Sequence, residues 1–431
     1  MITAGTVIGS GIFLTPGIVL RETGGRAALA LLVWTVAGMI SLLGALTYAE
    51  LGAMKPDAGG LYVYLRDAFG PLSAFLYGWA SFAVIASGTV AALAVAFSGY
   101  LGRLVPLGAL PSPVIPVLVI AVFAVVNIAG TRKGSIVQNW GTVTKVGGLL
   151  VLSVLLLATG SLSTALADSA TAAPAPSLAA GLGAATIATL WAYEGWQYVT
   201  FSAGEARDPQ RTFPRALSAA TLGLVVLYLL ANLGYLAALG PAAMAASEQI
   251  AADAVATALG PGLAAVVGVL ILVSIASALN GILLTAPRKY FAMARDGVFF
   301  ARLAEVHPQT ITPVFAIAGL ALWSAVLAAT GTFVQLLTYV VFTGWIFYAL
   351  GALSIFVYRR RAPEASRAFR TPGYPVTPMV FVLAATLLVL NTLVTQPGRA
   401  FAGLGLVALG APAFYYWRSR YRRARAAEPV T

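Results

Sequence analysis

The chain contains no cysteine and a single histidine, His307, among its 431 residues. It therefore has no side chains for disulfides, Cys-ligated zinc or thiol nucleophiles, and no histidine cluster that could hold a metal. The phosphate-binding pattern Gly-x-x-x-x-Gly-Lys-[Ser/Thr] is also missing, which argues against a pump driven by ATP. A convergent set of His, Asp or Ser residues is missing too. We therefore expect no metal, no cofactor and no enzymatic activity.

Charge is scarce in this sequence. Only 9% of the residues are charged and 60% are hydrophobic, whereas a soluble domain usually carries about 25% charged residues. An apolar run of about 17 to 25 residues is long enough to cross a membrane as a helix. We therefore predict an all-α integral membrane protein with twelve transmembrane helices, at about 1–20, 27–53, 70–98, 113–130, 137–160, 182–206, 215–240, 263–287, 313–330, 332–357, 376–395 and 400–417.

The few basic residues are distributed unevenly between the predicted loops. Of the 26 Lys and Arg residues, 21 fall on one side of the membrane, and only Arg21, Arg26, Arg103 and Arg399 fall on the other. Lys and Arg accumulate in cytoplasmic loops, so this bias places both termini in the cytoplasm of a cell (plasma) membrane protein. It also explains the net charge of +12 without nucleic acid. The basic tail at 418–431 is expected to attract anionic membrane lipid.

Two of the predicted spans are interrupted by polar, glycine-containing segments. The first span is broken at Gly9-Ser10-Gly11, and the sixth at Tyr193-Glu194-Gly195-Trp196. Irregular backbone at membrane depth is tolerated only where it lines a cavity, and paired broken helices mark the substrate sites of transporters. The alternative for the first break is a glycine-rich face for helix packing. The pairing of the two breaks favours a transporter.

The spacing of the two breaks predicts an inverted repeat. Five spans separate the corresponding elements, and a repeat with an odd number of spans places its second copy upside down in the bilayer. We therefore expect one polytopic transport domain over residues 1–431. Its first repeat covers 1–160, its second covers 182–357, and two helices at 376–417 are appended to this five-plus-five core.

Five motifs follow one another from end to end of the chain. They are Gly5–Phe13 (GTVIGSGIF), AELG at 49–52 with PDAGGLYVY at 56–64, WAYEGWQY at 191–198 with GEARDPQRTFPR at 204–215, PRKYFAMARDG at 287–297 and RAFRTPGYP at 367–375. In this order they resemble an amino acid permease of the amino acid–polyamine–organocation superfamily. The closest likeness is to the L-type amino acid transporter-like branch, which includes bacterial serine/threonine exchangers. This resemblance implies a fold of the LeuT type with helices 1 and 6 broken.

The resemblance also implies a binding site for an amino acid. Amides around Ser10, Gly11 and Ile12 would hold the carboxylate, since a helix start offers unpaired N–H groups and the positive end of its dipole. Carbonyls of Val7, Trp191 and Glu194 would hold the amine. The full set of expected substrate-binding residues is Val7, Gly9, Ser10, Gly11, Ile12, Trp191, Glu194, Gly195 and Trp345.

Three of the expected site residues are also assigned to coupling and gating. By resemblance, Trp191 gates the substrate, and Lys145 bonds carbonyls near Val7 and Ile8 in place of a sodium ion. Alternatively, Lys145 snorkels to the cytoplasmic interface. Glu194 departs from the family and could strengthen amine binding, select cationic substrates or carry a proton. It could also bond a backbone N–H or Lys145.

These expectations combine into a function. We expect secondary active transport of L-amino acids by alternating access, as sodium-independent exchange or proton-coupled symport. The alternative is a facilitative channel or uniporter for small solutes or polyamines. No obligatory protein partner is expected. Only eight residues precede Gly9, and their rise of about 12 Å is short for half of a span. Either the natural chain begins upstream of Met1, which we expect, or its first half-helix is short.

Overall fold

The computed structural model describes residues 1–106, 113–161, 163, 177–205 and 208–426. Residue 206 of the predicted sixth span and residues 427–431 of the predicted basic tail lie outside them. Every regular element in these residues is helical, in agreement with the apolar runs. The first half contains α1 (Ile2–Val7), α2 (Gly11–Glu22), α3 (Ala27–Met54), α4 (Leu61–Phe69), α5 (Pro71–Ala80), a π-helical segment (Ser81–Ile85), α6 (Ala86–Leu104), α7 (Val114–Ile128) and α8 (Thr131–Thr159).

The second half has the same character. Its elements are α9 (Leu178–Ala192), a 3-10 segment (Trp196–Glu205), α10 (Pro209–Ala246), α11 (Ile250–Leu259), α12 (Pro261–Thr285), α13 (Pro287–Arg295), a short 3-10 turn (Ala301–Ala304), α14 (Val314–Thr330), α15 (Phe333–Arg361), α16 (Val376–Thr395), α17 (Pro397–Ala408) and α18 (Gly410–Ala426). Helix α11 lies in the stretch 241–262, which is mildly apolar but too polar to span a membrane because of Glu248 and Asp253; such a stretch predicts an external loop with a short helix or two.

By length and composition, eight helical stretches of the described residues can cross a membrane. They are Ala27–Met54, Pro71–Leu104, Thr131–Thr159, Pro209–Ala246, Pro261–Arg295, Phe333–Arg361, Val376–Thr395 and Pro397–Tyr421. The other four predicted spans correspond to shorter pieces. Two of these are the intact helices α7 and α14, and two are the spans divided by the breaks. The count of twelve therefore remains a prediction.

Large apolar side chains are exposed along the outer helices, as expected for surfaces that face lipid. Examples are Leu118 and Val122 in α7, Val151 in α8, and Leu383 and Leu387 in α16, each more than half exposed. The broken spans lie inside this shell, since α2 packs against α9 and α10, and α1 packs against α8, α12 and the 3-10 segment Trp196–Glu205. This arrangement places both breaks at the centre of the bundle.

Candidate functional site

The first break separates two short helices at a buried position. Helix α1 ends at Val7, Ile8 has an extended backbone with φ −73° and ψ 91°, and α2 begins at Gly11. The Oγ of Ser10, the residue before α2, is buried and has no hydrogen-bond partner among the described residues. The first amides of a helix have no carbonyl partner within it. The start of α2 therefore presents donors and a positive dipole end to an anionic group.

The second break has the opposite polarity. Helix α9 ends at Ala192, and a turn over residues 193–195 leads into the 3-10 segment. Gly195 has φ +123°, which is accessible to glycine and strained for other residues. Carbonyl groups at the end of α9 lie at the negative end of its dipole, where a cation is stabilised.

The two breaks are in direct contact with each other. The Oγ1 of Thr6 donates to the carbonyl oxygen of Gly195 at 2.9 Å. A Cβ atom on Gly195 would lie 2.8 Å from the carbonyl oxygen of Thr6, and one on Gly11 would lie 2.4 Å from the Cα of Ala192. Both glycines are therefore required for backbone-to-backbone packing. The contact places the first amides of α2 beside the last carbonyls of α9.

Tyr228 of α10 lies between the two half-helices. Its hydroxyl is 3.3 Å from the carbonyl oxygen of Val7 and 3.2 Å from that of Ala192. The hydroxyl can donate to either carbonyl, and both carbonyls lie at helix ends where a partner is otherwise lacking. The sequence analysis does not identify Tyr228, because nothing in the sequence of an intact apolar span marks the side chain that faces two breaks elsewhere in the chain.

Lys145 is fully buried and points at the first break. Its Nζ lies 2.5 Å from the carbonyl oxygen of Gly5, 2.6 Å from that of Ile8 and 3.4 Å from that of Ser274. The Oγ of Ser274 also donates to Ile8, at 3.2 Å, and to Gly9, at 3.3 Å. This position differs from that of a lysine that snorkels to an interface, because three carbonyls surround the ammonium in place of water.

Glu194 is buried in the turn of the second break and holds two donors on one oxygen. Its Oε1 accepts from the Nε2 of Gln197 and from the hydroxyl of Tyr348, each at 2.5 Å. These two partners differ from those expected from the sequence, which were Lys145 or a backbone N–H. Gln197 stands three residues further along the same break, and Tyr348 stands three residues after Trp345 on one helix face. Only the spacing of Gln197 relates a partner to Glu194 within the sequence.

The two predicted tryptophans occupy different surroundings. Trp191 is buried with its ring edge against Phe333, at 5.8 Å between centroids. Phe333 also lines a cavity of about 370 Å³ that holds Arg21, Arg103 and Glu248 on the side opposite Met1. Trp345 packs against Phe381 at 5.3 Å. Trp191 thus lies beside a residue that lines this cavity, whereas Trp345 packs against Phe381 in the core.

Lys289 of α13 is a second buried lysine that the sequence analysis assigns to an internal loop. Its Nζ donates to the Oγ of Ser81 in the π-helical segment and lies 3.4 Å from the hydroxyl of Tyr77. The ring of Phe201, in the 3-10 segment after the second break, is 4.2 Å from the ammonium. A cation held over an aromatic face is stabilised by the ring quadrupole. Lys289 therefore joins three elements beneath the breaks.

Polar contacts connect helices on both sides of the two breaks. On the side of Met1, the Oδ2 of Asp296 accepts from the hydroxyl of Tyr62 at 2.7 Å and from the Nη1 of Arg66 at 2.8 Å. On the opposite side, the Nη2 of Arg103 lies 2.7 Å from the Oε2 of Glu248. A buried centre with breakable contacts on each side is the arrangement that a gated site requires.

Comparison with known proteins gives consistent matches along the chain. The model of the amino acid permease family matches residues 1–408. The serine/threonine exchanger SteT of Bacillus subtilis is 31% identical over 421 residues, which cover 96% of this chain and 94% of the exchanger. The human b(0,+)-type amino acid transporter 1 is 31% identical over 445 residues, covering 100% of this chain and 89% of the transporter.

A further relative comes from the large neutral amino acid transporters. The human large neutral amino acids transporter small subunit 2 is 30% identical over 437 residues, covering 97% of this chain and 79% of that protein. These relatives span nearly the whole chain, and the family model covers both breaks and Lys145. The chain therefore belongs to the amino acid permease family of membrane transporters.

Proposed function

We propose that this protein transports L-amino acids across the cell membrane by sodium-independent exchange. The observation that carries the proposal is the direct contact between the two breaks. It brings the first amides of α2, around Ser10 to Ile12, beside the final carbonyls of α9 at Trp191 to Glu194. A carboxylate fits the first group and an ammonium fits the second. The α-carboxylate and α-amine of one amino acid satisfy both.

Sodium independence is proposed from the position of Lys145. Its ammonium lies within hydrogen-bond distance of carbonyls of Gly5 and Ile8 in the first span and Ser274 in α12. Backbone carbonyls at helix breaks are the groups that coordinate sodium in transporters of this design. A fixed positive charge in this position removes the need for an ion. The serine/threonine exchanger among the relatives supports exchange as the mode of transport.

A second candidate concerns Glu194, and its burial is the observation that favours it. This carboxylate lies close to the proposed amine site, with Tyr348 and Gln197 as its donors. It can form an ion pair with the side chain of a cationic substrate, or it can bind a proton. The b(0,+)-type transporters among the relatives are amino acid transporters as well. Cationic amino acids, or proton-coupled symport of neutral ones, therefore form the second candidate.

The architecture proposed for this function has twelve spans. A first repeat over residues 1–160 and an inverted second repeat over 182–357 form a five-plus-five core of the LeuT type, and the two spans at 376–417 are appended. The basic residues favour cytoplasmic termini. Of the remaining assigned positions, Gly9 would line the pocket through its backbone, whereas the ring of Trp345 packs against Tyr348 and Phe381 in the core. Trp191 would close it from outside, against Phe333.

We also propose that the chain works without an obligatory protein partner. One relative is named a small subunit, whereas the bacterial exchanger covers the chain almost completely and carries no such designation in its name. The chain has no cysteine through which a partner could be attached by a disulfide. Purification of the chain alone, followed by reconstitution, tests this point together with transport.

The decisive experiment is exchange in proteoliposomes. The purified chain is reconstituted with or without unlabelled amino acid inside, and uptake of a panel of labelled neutral and cationic amino acids is measured with and without sodium. We expect uptake to require internal amino acid and to be unaffected by sodium. Uptake that proceeds equally into empty vesicles without a pH gradient overturns the exchanger and supports a uniporter or channel. Uptake that requires sodium overturns the role proposed for Lys145.

A further inference from the structure

Helix α18 changes from aromatic to basic at Trp417. Tyr415 and Tyr416 are exposed just before it, and five arginines without any carboxylate follow it up to Ala426. The stretch Pro397–Tyr421 is long and apolar enough to cross a membrane. Tyr and Trp concentrate at membrane–water interfaces, and basic residues concentrate just beyond them. The arginines of α18 therefore lie where the last span meets the headgroups.

Three arginines of α18, Arg418, Arg420 and Arg423, have no acidic partner in the described part of the chain. The described ion pairs involve other residues, and no carboxylate of a described residue lies within ion-pair distance of these three side chains. Arg420 and Arg423 are exposed and Arg418 is half-buried. Uncompensated guanidinium groups next to a bilayer attract phosphate-bearing anionic headgroups.

The same helix is docked firmly on the protein. The ring of Phe414 is buried and lies 5.5 Å from that of Phe75 in α5. The ring of Trp417 lies 4.6 Å from that of Phe300, and the ring of Tyr421 packs directly over Gly297, leaving no room for a Cβ atom there. Helix α18 is therefore held against the loop at residues 297–300.

That loop leads directly to the polar contact on the Met1 side. Asp296, next to Gly297 in the chain, accepts hydrogen bonds from Tyr62 and Arg66 of α4. The backbone before α4 is in turn tied to the second break, because the N–H of Gly59 donates to the carbonyl oxygen of Phe201 at 3.1 Å. A continuous series of contacts therefore runs from the basic face of α18 to the half-helix after the second break.

We propose that α18 binds anionic phospholipid through Arg418, Arg420 and Arg423 and thereby stabilises the closed contact of Asp296 with α4. Bound headgroups neutralise the repulsion among neighbouring arginines and hold the helix at the membrane surface, where Trp417 presses on the loop at 297–300. Loss of the lipid loosens this loop and opens the Met1 side more often. The lipid site does not depend on the proposed transport function. The effect of the lipid on gating rests on that function.

The binding is tested with the full chain in detergent. Short-chain phosphatidylglycerol is titrated, and the midpoint temperature of unfolding is followed, because a ligand of the folded state raises it. Each basic residue near an anionic surface contributes about fivefold in affinity, so the combined variant Arg418→Gln, Arg420→Gln, Arg423→Gln should bind roughly 100-fold more weakly. The corresponding triple Lys variant should retain binding. Arg26→Gln, which removes an exposed charge on the opposite side, is the matched control and should bind as the unmodified chain does.

Three outcomes overturn the lipid site. If phosphatidylcholine raises the midpoint temperature as much as phosphatidylglycerol does, binding does not depend on the charge of the headgroup. If inorganic phosphate raises it equally, the site binds a free anion rather than a lipid. A triple Gln variant that is stabilised as strongly as the unmodified chain has the same consequence. None of these measurements depends on transport, so failure of the exchange assay leaves them interpretable.

The effect on gating is measured with a single cysteine, which the cysteine-free chain makes possible. Ser135 lines a cavity with Met1 and Asn139, and Ser135→Cys reports access from that side by its rate of labelling with a maleimide. In nanodiscs, labelling should be several-fold slower with phosphatidylglycerol than with phosphatidylcholine alone. Asp296→Asn should abolish this difference while leaving lipid binding intact. Equal labelling of the Ser135→Cys protein in both lipids, or an unchanged difference in Asp296→Asn, refutes the coupling.

Discussion

The Nζ of Lys145 lies 2.6 Å from the carbonyl oxygen of Ile8, the residue at which the first membrane helix is broken. Gly5 and Ser274 supply two further carbonyls. One buried ammonium therefore joins α8, α12 and the end of α1. Because hydrogen bonds to a charged group stabilise more than neutral ones, this contact is a principal determinant of where α1 ends.

Replacement of this ammonium is expected to abolish most of the exchange. Lys145→Met keeps the length of the side chain but leaves the carbonyls of Gly5 and Ile8 without their donor. Hydrogen bonds to charged groups contribute about 1.5–3 kcal/mol, so the exchange rate should fall roughly 10- to 100-fold. Initial rates in proteoliposomes measure this loss. Lys133→Gln, at an exposed position, is the control and should exchange normally; a fully active Lys145→Met protein contradicts the assignment.

The contact between Gly11 and Ala192 makes a prediction about packing. A Cβ atom on Gly11 would lie 2.4 Å from the Cα of Ala192, whereas one on Gly147 would meet nothing within 4 Å. Gly11→Ala should therefore lower the free energy of unfolding by about 1–3 kcal/mol, as overpacking does. Gly147→Ala should be neutral or slightly stabilising, since alanine favours a helix. Thermal unfolding in detergent compares the two, and equal midpoints would show that the breaks are not in contact.

Glu194 allows the two candidate substrate classes to be separated. Glu194→Gln removes the negative charge while its amide oxygen can still accept from Tyr348. Uptake of lysine or arginine should then fall about tenfold or more, because hydrogen bonds involving a charged group lose their larger contribution. Uptake of serine or threonine should change less. Glu364→Gln, at an exposed carboxylate away from both breaks in the chain, serves as the control. An unchanged substrate profile and pH dependence in Glu194→Gln would exclude the residue from recognition and coupling.

How far the sequence predicts this molecule differs between backbone and side chains. The breaks near Gly11 and Gly195 are predictable from the sequence, because glycines and polar residues inside an apolar run weaken a membrane helix whatever surrounds that helix in the fold. Lys145 was noticed for a similar reason, since a charge inside an apolar span is costly without partners. These features depend on local composition, which the sequence contains in full.

Partners across the bundle were not predictable in the same way. Tyr348 lies more than a hundred residues from Glu194 in the chain. The direction of its side chain depends on how α15 is rotated about its axis relative to the second break. Lys289 lies just beyond the predicted span 263–287 and is therefore expected in an internal loop, yet α13 buries it against Ser81. An apolar span gives little periodicity by which to orient its faces, since lipid and protein core are both apolar. Side-chain pairing therefore required the three-dimensional structure.

Tyr228 provides the last prediction, because the same helix contains its own control. The hydroxyl of Tyr228 lies within 3.3 Å of the carbonyls of Val7 and Ala192, whereas the buried hydroxyl of Tyr235 has no hydrogen-bond partner among the described residues. A neutral hydrogen bond contributes about 0.5–1.5 kcal/mol, so Tyr228→Phe should slow exchange roughly twofold to tenfold. Tyr235→Phe should leave the rate unchanged or raise stability, since it removes an unsatisfied group. If both variants slow exchange equally, the bridge between the half-helices has no special part in transport, and the effect belongs to the packing of α10 as a whole.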